Sequence, residues 1–140
     1  MIDFELVKNV LKSDFKSLTK SRMLILDQIA LLAPISMNKL IENLKGNLDR
    51  ATVYRNVTIF EDLGIITKIQ IGWKYKLELS EKFSSHHHHL VCQSCQKIID
   101  LNELNEVERE INKLSLKNGF IAKSHQLEIF GLCKNCQNKW

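Results

Sequence analysis

The chain has no apolar run long enough to cross a bilayer, only one proline, Pro34, and no internal repeat or low-complexity tract. Its longest apolar stretch, MLILDQIALLAPI, is interrupted by Asp27 and Gln28, whereas a spanning helix needs about 20 apolar residues. The N-terminus, MIDFELVKNV, lacks the basic-then-apolar pattern of a signal peptide. These absences predict a cytoplasmic protein whose organisation has to be deduced from the periodicity of its apolar residues.

Signatures of catalysis are also missing. There is no His-Glu-x-x-His motif, no glycine-rich phosphate loop and no nucleophile next to a partner base. The remaining enzymatic hypothesis is a hydrolase in which histidines hold a zinc ion with an open position and Glu108 acts as the base. Nothing else in the sequence supports it, so we predict that the chain is not an enzyme.

Charge of one sign is only slightly in excess. Twenty Lys and Arg against 16 Asp and Glu give a formal net charge of +4 and a pI near 8.9. This surplus permits a polyanionic partner such as nucleic acid without requiring one. A length of 140 residues with 44% hydrophobic content fits one domain, or two small ones sharing a core, that fold without a disulfide scaffold.

Apolar residues at three- and four-residue spacing predict three helices near the N-terminus, over residues 2–16, 20–32 and 37–45. Thr19 and Ser36 are suitable N-caps for the second and third helices, and the third stops near Gly46. The apolar stripe of the first helix consists of Phe4, Val7, Leu11 and Phe15. The second helix is expected to be central because one side of it can be buried through Met23, Leu24, Ile25, Leu26, Ile29 and Leu32.

The segment LDRATVYRNVTIFEDLG predicts a fourth helix, capped by Asp49 and ended by Gly64, with two different faces. The inward face carries Val53, Val57 and Phe60. The opposite face supplies the polar and aromatic residues that a major-groove helix needs, namely Arg50, Tyr54, Arg55 and Thr58, with Thr52 beside them. The alternative is an ordinary exposed helix.

Two short alternating segments, IITKIQIG and WKYKLELS, follow this helix and predict a hairpin around Gly72. Three helices and a hairpin make a winged helix-turn-helix, which we assign to residues 1–80. On its recognition helix, Tyr54 is expected to pack on thymine methyl groups, and Arg55 to hydrogen-bond guanine or phosphate.

The second half of the chain has a different pattern. The polar segment SEKFSS, residues 80–85, is a candidate hinge before a second domain, residues 81–140. HHHHLV and KIIDL are predicted strands, residues 103–117 a helix with Leu104, Val107, Ile111 and Leu114 at heptad-like spacing, and FIAKSHQLEIFGLC one long strand. This α/β unit has few residues to cover its apolar surfaces, so we expect it to self-associate.

The only four cysteines form two Cys-x-x-Cys pairs: Cys92, Cys95, Cys133 and Cys136. In a reducing compartment such pairs indicate thiolate ligands rather than disulfides. Four thiolates make a closed tetrahedral zinc site, which would tie the first strand of the second unit to its end. The alternative is four unligated or redox-active thiols.

Four consecutive histidines precede the first cysteine pair. In a strand, neighbouring side chains point to opposite faces, so His86 and His88 share one face and His87 and His89 the other. The run therefore supplies two separate pairs of metal ligands. His125 and Glu108 are available to the first pair, and Glu78 and Asp100 to the second. The alternatives are a solvated linker or a leftover purification tag, a satisfied core histidine at 125, and a solvated carboxylate at 108.

Four stretches together, LTKSRMLIL, ATVYRNVTIFEDLGII, HHHHLVCQSCQKIIDL and HQLEIFGLCKNC, resemble the ferric uptake regulator (Fur) family of bacterial metal-sensing repressors across nearly the whole chain. The resemblance implies an α+β fold, in which a winged-helix domain precedes an α/β dimerisation domain. It also implies a homodimer that binds palindromic operators when loaded with metal.

Residue by residue, the resemblance places the structural zinc on the four cysteines. It places the sensing site on Glu78, His87 and His89, with Asp100 used in some branches, and the second site on His86, His88, Glu108 and His125. A lysine that some relatives insert into the minor groove aligns near Ser17, which leaves Lys16 or Lys20 as DNA contacts.

Three further features depart from the family pattern. Pro34 stands where many members have a sensing histidine, so either another residue completes that site or the site binds its metal more weakly. His88 stands where many have aspartate, and the added nitrogen ligand moves the preference toward zinc, although imidazole also suits iron. Compared with the family, two extra residues lie between Glu78 and His86. Glu78 is therefore the metal ligand whose alignment with the family is least secure.

The sequence thus predicts a metal-responsive repressor that uses a structural Zn²⁺, senses Fe²⁺, Zn²⁺ or Mn²⁺ and binds duplex DNA as a homodimer, with no membrane or small-molecule substrate. One alternative from the same family is an iron-dependent peroxide sensor that oxidises its own histidine ligands. Another is a metal buffer without DNA activity.

Overall fold

A computed structural model describes residues 1–102 and 104–138 and divides at Ser85 and His86 into two compact units. The first unit contains four helices, α1 (Phe4–Ser13), α2 (Lys20–Leu32), α3 (Met37–Leu44) and α4 (Arg50–Asp62). An antiparallel hairpin follows, made of β1 (Ile66–Ile71) and β2 (Lys74–Leu79). The predicted winged helix-turn-helix is confirmed, and the predicted range of the second helix agrees with α2 at both ends.

Side-chain caps start all four helices of the first unit. Thr19, Ser36 and Asp49 accept hydrogen bonds from backbone N–H groups three residues later, as predicted. Asp3 caps α1 in the same way, from the N–H groups of Glu5 and Leu6. These bonds satisfy donors that a helix leaves unpaired in its first turn, which is why the sequence located the helix starts so well.

One continuous apolar core holds the first unit together. Its fully buried members come from every element of the unit and include Val7, Leu11, Ile25, Leu26, Ile29, Leu40, Val53, Phe60, Ile65 and Leu77. On α2 the buried stripe is narrower than predicted, because Met23, Leu24 and Leu32 lie on the exposed side of the helix.

The first helix is shorter than predicted, and Phe15 does not face the core. The chain turns after Ser13: the N–H of Phe15 donates to Lys12 O and that of Lys16 to Leu11 O. This turn places Phe15 in the left-handed region, at φ 56°, and leaves its side chain 101% exposed. The apolar spacing continued past the point where the backbone leaves the helix.

The second unit is a three-stranded sheet with two helices: β3 (His88–Cys92), β4 (Ile98–Leu101), α5 (Asn105–Lys117), β5 (Glu128–Gly131) and α6 (Lys134–Gln137). The central strand, β3, pairs antiparallel with β4 and parallel with β5. The predicted start of α5 included Glu103, which lies outside the described residues.

The last strand is shorter than predicted, whereas the exposure of α5 agrees with the expectation that this unit has few residues to cover its apolar surfaces. Only Glu128–Gly131 of the predicted strand over residues 120–133 is a strand, paired with residues 89–92 of β3. Residues 120–127 are irregular, and the chain forms α6 after Cys133. No residue of α5 is buried. In the described part of the second unit, the buried apolar side chains are Val91, Cys92 and Cys136.

The segment predicted as a hinge belongs to the first unit rather than starting the second. Phe83 packs against the core of the first unit, and the Ser84 hydroxyl donates to the carbonyl oxygens of Leu79 and Ser80. The division therefore falls after Ser85, not after Ser80. Among the described residues, no helix combines the length and the apolar character that a membrane span requires.

Candidate metal centres and nucleic-acid interface

The four cysteines converge at one end of the sheet. Cys92 ends β3, Cys95 follows in a turn, Cys133 precedes α6 and Cys136 lies within it. Their sulfurs lie within 4.8 Å of one another, and all four are free thiols. The Sγ atoms of Cys95 and Cys133 are 3.7 Å apart, close to the spacing of about 3.8 Å that tetrahedral Zn–S bonds of about 2.3 Å impose. The donor set fits zinc.

Backbone N–H groups favour the thiolate form of two of these cysteines, Cys92 and Cys133. The N–H of Cys133 donates to Cys92 Sγ at 3.4 Å, and this hydrogen bond is the largest cause that lowers the pKa of Cys92 to about 6. A hydrogen bond from the N–H of Cys136 likewise lowers the pKa of Cys133. Because metals bind the thiolate, these bonds prepare the cluster for a cation.

Three histidines and a glutamate form a second cluster beside β3. His86 directly precedes the strand, His88 begins it, Glu108 lies in the first turn of α5, and His125 lies between α5 and β5. All four ligand atoms lie within 4.8 Å of one another. This is the predicted grouping of the second site.

The carboxylate of Glu108 is the centre of this cluster. Its oxygens lie 2.5 Å from His88 Nε2, 3.2 Å from His86 Nε2 and 3.1 Å from His125 Nε2. The hydrogen bond with His88 is the largest cause that lowers the pKa of Glu108 to about 2. The Nε2 atoms of His86 and His125 face each other at 3.2 Å. Nitrogens that converge on one carboxylate in this way suit a shared cation, and three imidazoles with one carboxylate favour zinc or iron.

His87 and His89 form a separate pair. Their ring centroids lie 4.8 Å apart, and His89 is only 5% exposed. Asp100 lies directly opposite His89 on β4, with its Oδ1 atom 3.8 Å from His89 Nε2. Glu78, the remaining residue of the predicted sensing set, lies on β2 of the first unit.

The histidines therefore segregate into two pairs as predicted, although the strand starts only at His88. His86 and His88 stack edge to face at 4.6 Å on the Glu108 side. The sequence did not single out Glu128, which lies opposite His89 on β5. The apolar alternation along HQLEIFG indicates a strand. Which of its residues lies opposite His89 depends on the strand register, which the sequence does not give.

The predicted DNA-contacting residues lie on the exposed side of α4 and near the start of α2. Arg50, Tyr54, Arg55 and Thr58 are exposed, and Thr52 is half-buried. The guanidinium of Arg50 lies over the Tyr54 ring, 5.2 Å from its centroid. Lys20 is exposed at the first position of α2, and the half-buried Lys16 forms an ion pair with Asp14.

A polar contact behind α4 was missed by sequence reasoning. Asn56 is 7% exposed and accepts from Arg22 Nε of α2 at 2.9 Å, while its amide donates to Thr52 O at 2.9 Å. Arg22 also donates to the carbonyl oxygen of Ser17. The only signal for this contact in the sequence is a single asparagine next to the apolar stripe of α4.

A sequence model of the ferric uptake regulator family matches residues 13–130. The chain belongs to this family. Over 98 residues it is 35% identical to the peroxide-responsive repressor PerR of Staphylococcus aureus (strain USA300), and the match covers 66% of this chain and 61% of that relative, less than two thirds of its length.

Solved structures of Fur proteins have the same fold. The chain matches the Helicobacter pylori ferric uptake regulator with a TM-score of 0.80 at 22% identity, over 96% of this chain and 91% of the other. It matches the Vibrio cholerae Fur with a TM-score of 0.72 at 28% identity, over 91% and 99%. The predicted α+β fold of the Fur family is confirmed.

Proposed function

We propose that this Fur-family protein is a metal-responsive transcriptional repressor of the cytoplasm that binds palindromic operator DNA as a homodimer and is not an enzyme. The observation that carries this proposal is the grouping of ligands around one strand. β3 carries Cys92 of the thiol cluster, His88 of the imidazole cluster and His89 of the second histidine pair. The structure of the related H. pylori Fur was described as revealing three functional metal-binding sites.

We assign the cysteine cluster to a structural Zn²⁺. Such a site has no open position for substrate, and zinc-finger peptides gain on the order of 10 kcal/mol from it. The second unit has few buried apolar side chains, so the cross-link between β3 and α6 would contribute much of its stability.

We assign the cluster of His86, His88, Glu108 and His125 to a second bound cation, Zn²⁺ or Fe²⁺. Glu108 contacts all three imidazoles, so this carboxylate is not available as a general base. That arrangement argues against the hydrolase hypothesis and favours a site that organises β3 and α5.

We assign sensing to His87, His89 and Asp100, with Glu78 of β2 as the fourth ligand. Pro34 cannot ligate a metal, so Asp100 takes the place of the missing histidine. A Glu78 ligand would make the loaded state depend on both units, and loading would then favour the DNA-binding arrangement. For the metal to change the DNA-bound fraction of the protein widely, it has to bind the DNA-binding arrangement more favourably than the other arrangement by several kcal/mol.

The homodimer is supported by exposed apolar residues of the second unit. They include Val107, Leu114 and Leu116 of α5, Phe120 and Ile121 after it, and Ile129 and Phe130 of β5. Exposed apolar groups on one small unit are typical of an interface. Replacing Leu114 with Glu is expected to shift the protein toward monomer in sedimentation velocity, whereas Asn112→Asp on the same helix is not.

DNA binding is assigned to the exposed side of α4, with Lys16 and Lys20 as phosphate contacts. Arg50, Thr52, Tyr54 and Arg55 are the candidates for contact with the operator. Because Lys and Arg contacts with phosphate dominate the affinity, binding is expected to weaken steeply with salt.

A gel-shift titration tests metal control. The probe is the duplex that the metal-loaded protein selects from a random library, and the chelator is used at a level that leaves the cysteine-bound zinc in place. We expect strong binding with Fe²⁺, Zn²⁺ or Mn²⁺, and weak binding after chelation or in His87→Ala. Equal binding with and without chelator would refute metal control, and an Arg55→Ala variant with unchanged promoter occupancy would favour a metal buffer.

Peroxide sensing is a second candidate function. It is favoured by the 3.8 Å approach of Asp100 to His89 and by the 35% identity with a peroxide-responsive repressor. Mass spectrometry of the iron-loaded protein after peroxide treatment tests it. Added oxygen on His87 or His89 would support this function, and unmodified histidines would exclude it.

A further inference from the structure

Arg22 of α2 joins two parts of the first unit that are proposed to contact DNA. Its Nε–H donates to the side-chain oxygen of Asn56 on α4 at 2.9 Å, and its Nη1 donates to the carbonyl oxygen of Ser17 in the segment before α2. The guanidinium is therefore a bridge between the segment that carries Lys16 and the helix that carries Arg55.

The bridge consists of groups that are partly or fully withdrawn from water. Arg22 is half-buried and Asn56 is buried, and the Asn56 amide is fixed in turn by its hydrogen bond to Thr52 O. Polar groups in such positions keep their hydrogen bonds, so the two acceptors hold the guanidinium in one place. The planar fork of arginine donates to two separated acceptors in fixed directions, which the compact ammonium of a lysine does not reproduce.

The bridge reaches α4 at the edge of its exposed side. Thr52 and Asn56 are four residues apart and lie on the same side of the helix, and the Arg55 side chain is turned from that of Asn56 by about 100°. Arg55 is exposed, Thr52 is half-buried and Asn56 is buried. One guanidinium separates Ser17 O from Asn56, so the segment before α2 lies beside the edge of α4 that leads to Arg55.

The same segment carries one of the proposed phosphate contacts. The N–H of Lys16 donates to Leu11 O at 2.9 Å, which attaches the segment to α1, and Leu18 packs against the core. Between these two points, Ser17 O is the group that Arg22 ties to α4. The backbone next to Lys16 is therefore placed against α4 through Arg22.

The ion pair of Lys16 with Asp14 leaves the ammonium available to DNA. The two side chains are 32% and 48% exposed. Because an exposed ion pair contributes little to stability, a phosphate oxygen can replace the Asp14 carboxylate at little cost.

We infer that Arg22 is a positioning residue for DNA binding, which holds the segment of Lys16 against α4 so that Lys16 and Arg55 meet the same duplex together. This inference rests on the proposed DNA-binding function. Arg22 acts through Lys16 and does not itself contact DNA. Without the bridge, Lys16 keeps its charge, but its segment has to be ordered against α4 whenever DNA binds, and this ordering offsets the gain from the phosphate contact.

A double-mutant cycle in DNA affinity tests the positioning role. The probe is the duplex that the metal-loaded wild-type protein selects from a random library. In the wild-type background, Lys16→Ala is expected to weaken binding about threefold and to lower the slope of affinity against salt by about one phosphate contact. In the Arg22→Lys background, which keeps the charge and loses the fork, Lys16→Ala should change the affinity less than about 1.5-fold.

Lys20 provides the matched control for this cycle. It is also a proposed phosphate contact, but it lies at the first position of α2 itself, and α2 is fixed by its own buried residues. Lys20→Ala should therefore weaken binding by the same factor in both backgrounds. Arg109→Lys, at an exposed position on α5, makes the same chemical change away from the bridge and should bind DNA as the wild type does.

Three results of the cycle would overturn the inference. Equal effects of Lys16→Ala in the two backgrounds would show that Arg22 and Lys16 act independently. Lack of any effect of Lys16→Ala in the wild-type background would show that Lys16 is not a contact. Loss of the Lys20→Ala effect in Arg22→Lys as well would show that the whole unit is loosened rather than one segment.

Asn56→Ala breaks the bridge from its other end. It keeps the contact of Arg22 with Ser17 O and removes the acceptor on α4. Lys16→Ala should again lose most of its effect in this background, but keep it beside Asn43→Ala, at an exposed position on α3. This second cycle decides the question if urea denaturation shows that Arg22→Lys does not fold. A full effect of Lys16→Ala beside Asn56→Ala would contradict the positioning role.

The outcomes separate this inference from the proposed function. If the wild-type protein binds no DNA with any metal, the proposed function fails, and the inference fails with it. If the wild type binds DNA and Arg22→Lys binds equally tightly with the same salt slope, only the positioning role of Arg22 fails.

Discussion

At the scale of single residues, His88 is the most deeply buried member of its ligand cluster. Its side chain is 2% exposed, and its Nε2 approaches Glu108 at 2.5 Å. Its other ring nitrogen, Nδ1, is buried and has no hydrogen-bond partner among the described residues. Nε2 is therefore the ring nitrogen of His88 that is placed to share a cation with Glu108.

His88→Asp is therefore expected to change which cation the cluster prefers. Replacing an imidazole nitrogen with a carboxylate oxygen should weaken Zn²⁺ binding relative to Mn²⁺ by about tenfold or more. Competition with chromophoric chelators measures both affinities. Gln126→Asp, which adds the same charge next to His125 outside the ligand set, is the control. An unchanged Zn²⁺ to Mn²⁺ ratio in His88→Asp would show that this imidazole is not a ligand.

Asn56 provides a residue-scale prediction for the first unit. Asn56→Ala removes the acceptor of the Arg22 Nε–H donor and the donor to Thr52 O. Loss of these part-buried hydrogen bonds should lower the free energy of unfolding by about 1–3 kcal/mol, as measured by urea denaturation. Asn43→Ala, an exposed position on α3, should cost much less, and equal losses in the two variants would contradict the prediction.

At the scale of elements, the starts of the capped helices and the extents of β1 to β4 were predictable, but the extent of β5 was not. Thr19, Ser36 and Asp49 are local signals that act on the backbone a few residues away, so the sequence contains all the information needed. Unlike a helix cap, the apolar alternation over residues 120–133 is not a purely local signal. It indicates that one face of the segment tends to be buried, but it does not identify the surface against which that face packs. Only four of those residues found a partner strand, and Phe120 and Ile121 remain exposed.

The cap of α4 gives a pH-dependent prediction. The N–H of Thr52 donates to the Asp49 carboxylate at 2.7 Å, and this bond is the largest cause that lowers the pKa of Asp49 below 3.8. The pKa of such a carboxyl is lower in the folded protein than in the unfolded chain. The carboxylate therefore stabilises the fold at pH values above the pKa of the unfolded chain, and this stabilisation is lost as the pH falls through the pKa of the folded protein. Acid should therefore loosen the start of α4.

Asp49→Asn separates the charge from the cap. Asparagine caps helices about as well as aspartate, so the variant should match the wild type in urea at neutral pH. Below about pH 4 its midpoint should fall less than that of the wild type. If the wild type and Asp49→Asn lost stability equally as the pH fell, the carboxylate of Asp49 would make no charge-dependent contribution to stability.

At the scale of the whole molecule, the two units depend on different forces. The first has a continuous apolar core, whereas the second has few buried apolar side chains in its described part and brings together thiols, imidazoles and a carboxylate. The sequence predicted both donor clusters because ligand types and spacing are local information. No residue of α5 is buried, in line with the expectation that this unit has few residues of its own to cover its apolar surfaces.

Removal of the cysteine-bound metal should therefore unfold one unit and leave the other. In Cys133→Ser, or after exhaustive chelation, we expect backbone amide exchange to accelerate throughout residues 86–138. Protection in residues 1–85 should stay close to that of the intact protein, because its core contains no proposed ligand of that ion. Hydrogen-exchange mass spectrometry measures both regions in one sample, and uniform loss of protection would contradict this division.

The self-contained core of residues 1–85 also has a consequence for protein engineering. A module that folds without metal can be fused to an unrelated dimerising partner and keep its shape. Under the proposed function, the fusion protein would keep the operator specificity of residues 1–85, and the dimerising partner would determine which signal controls binding.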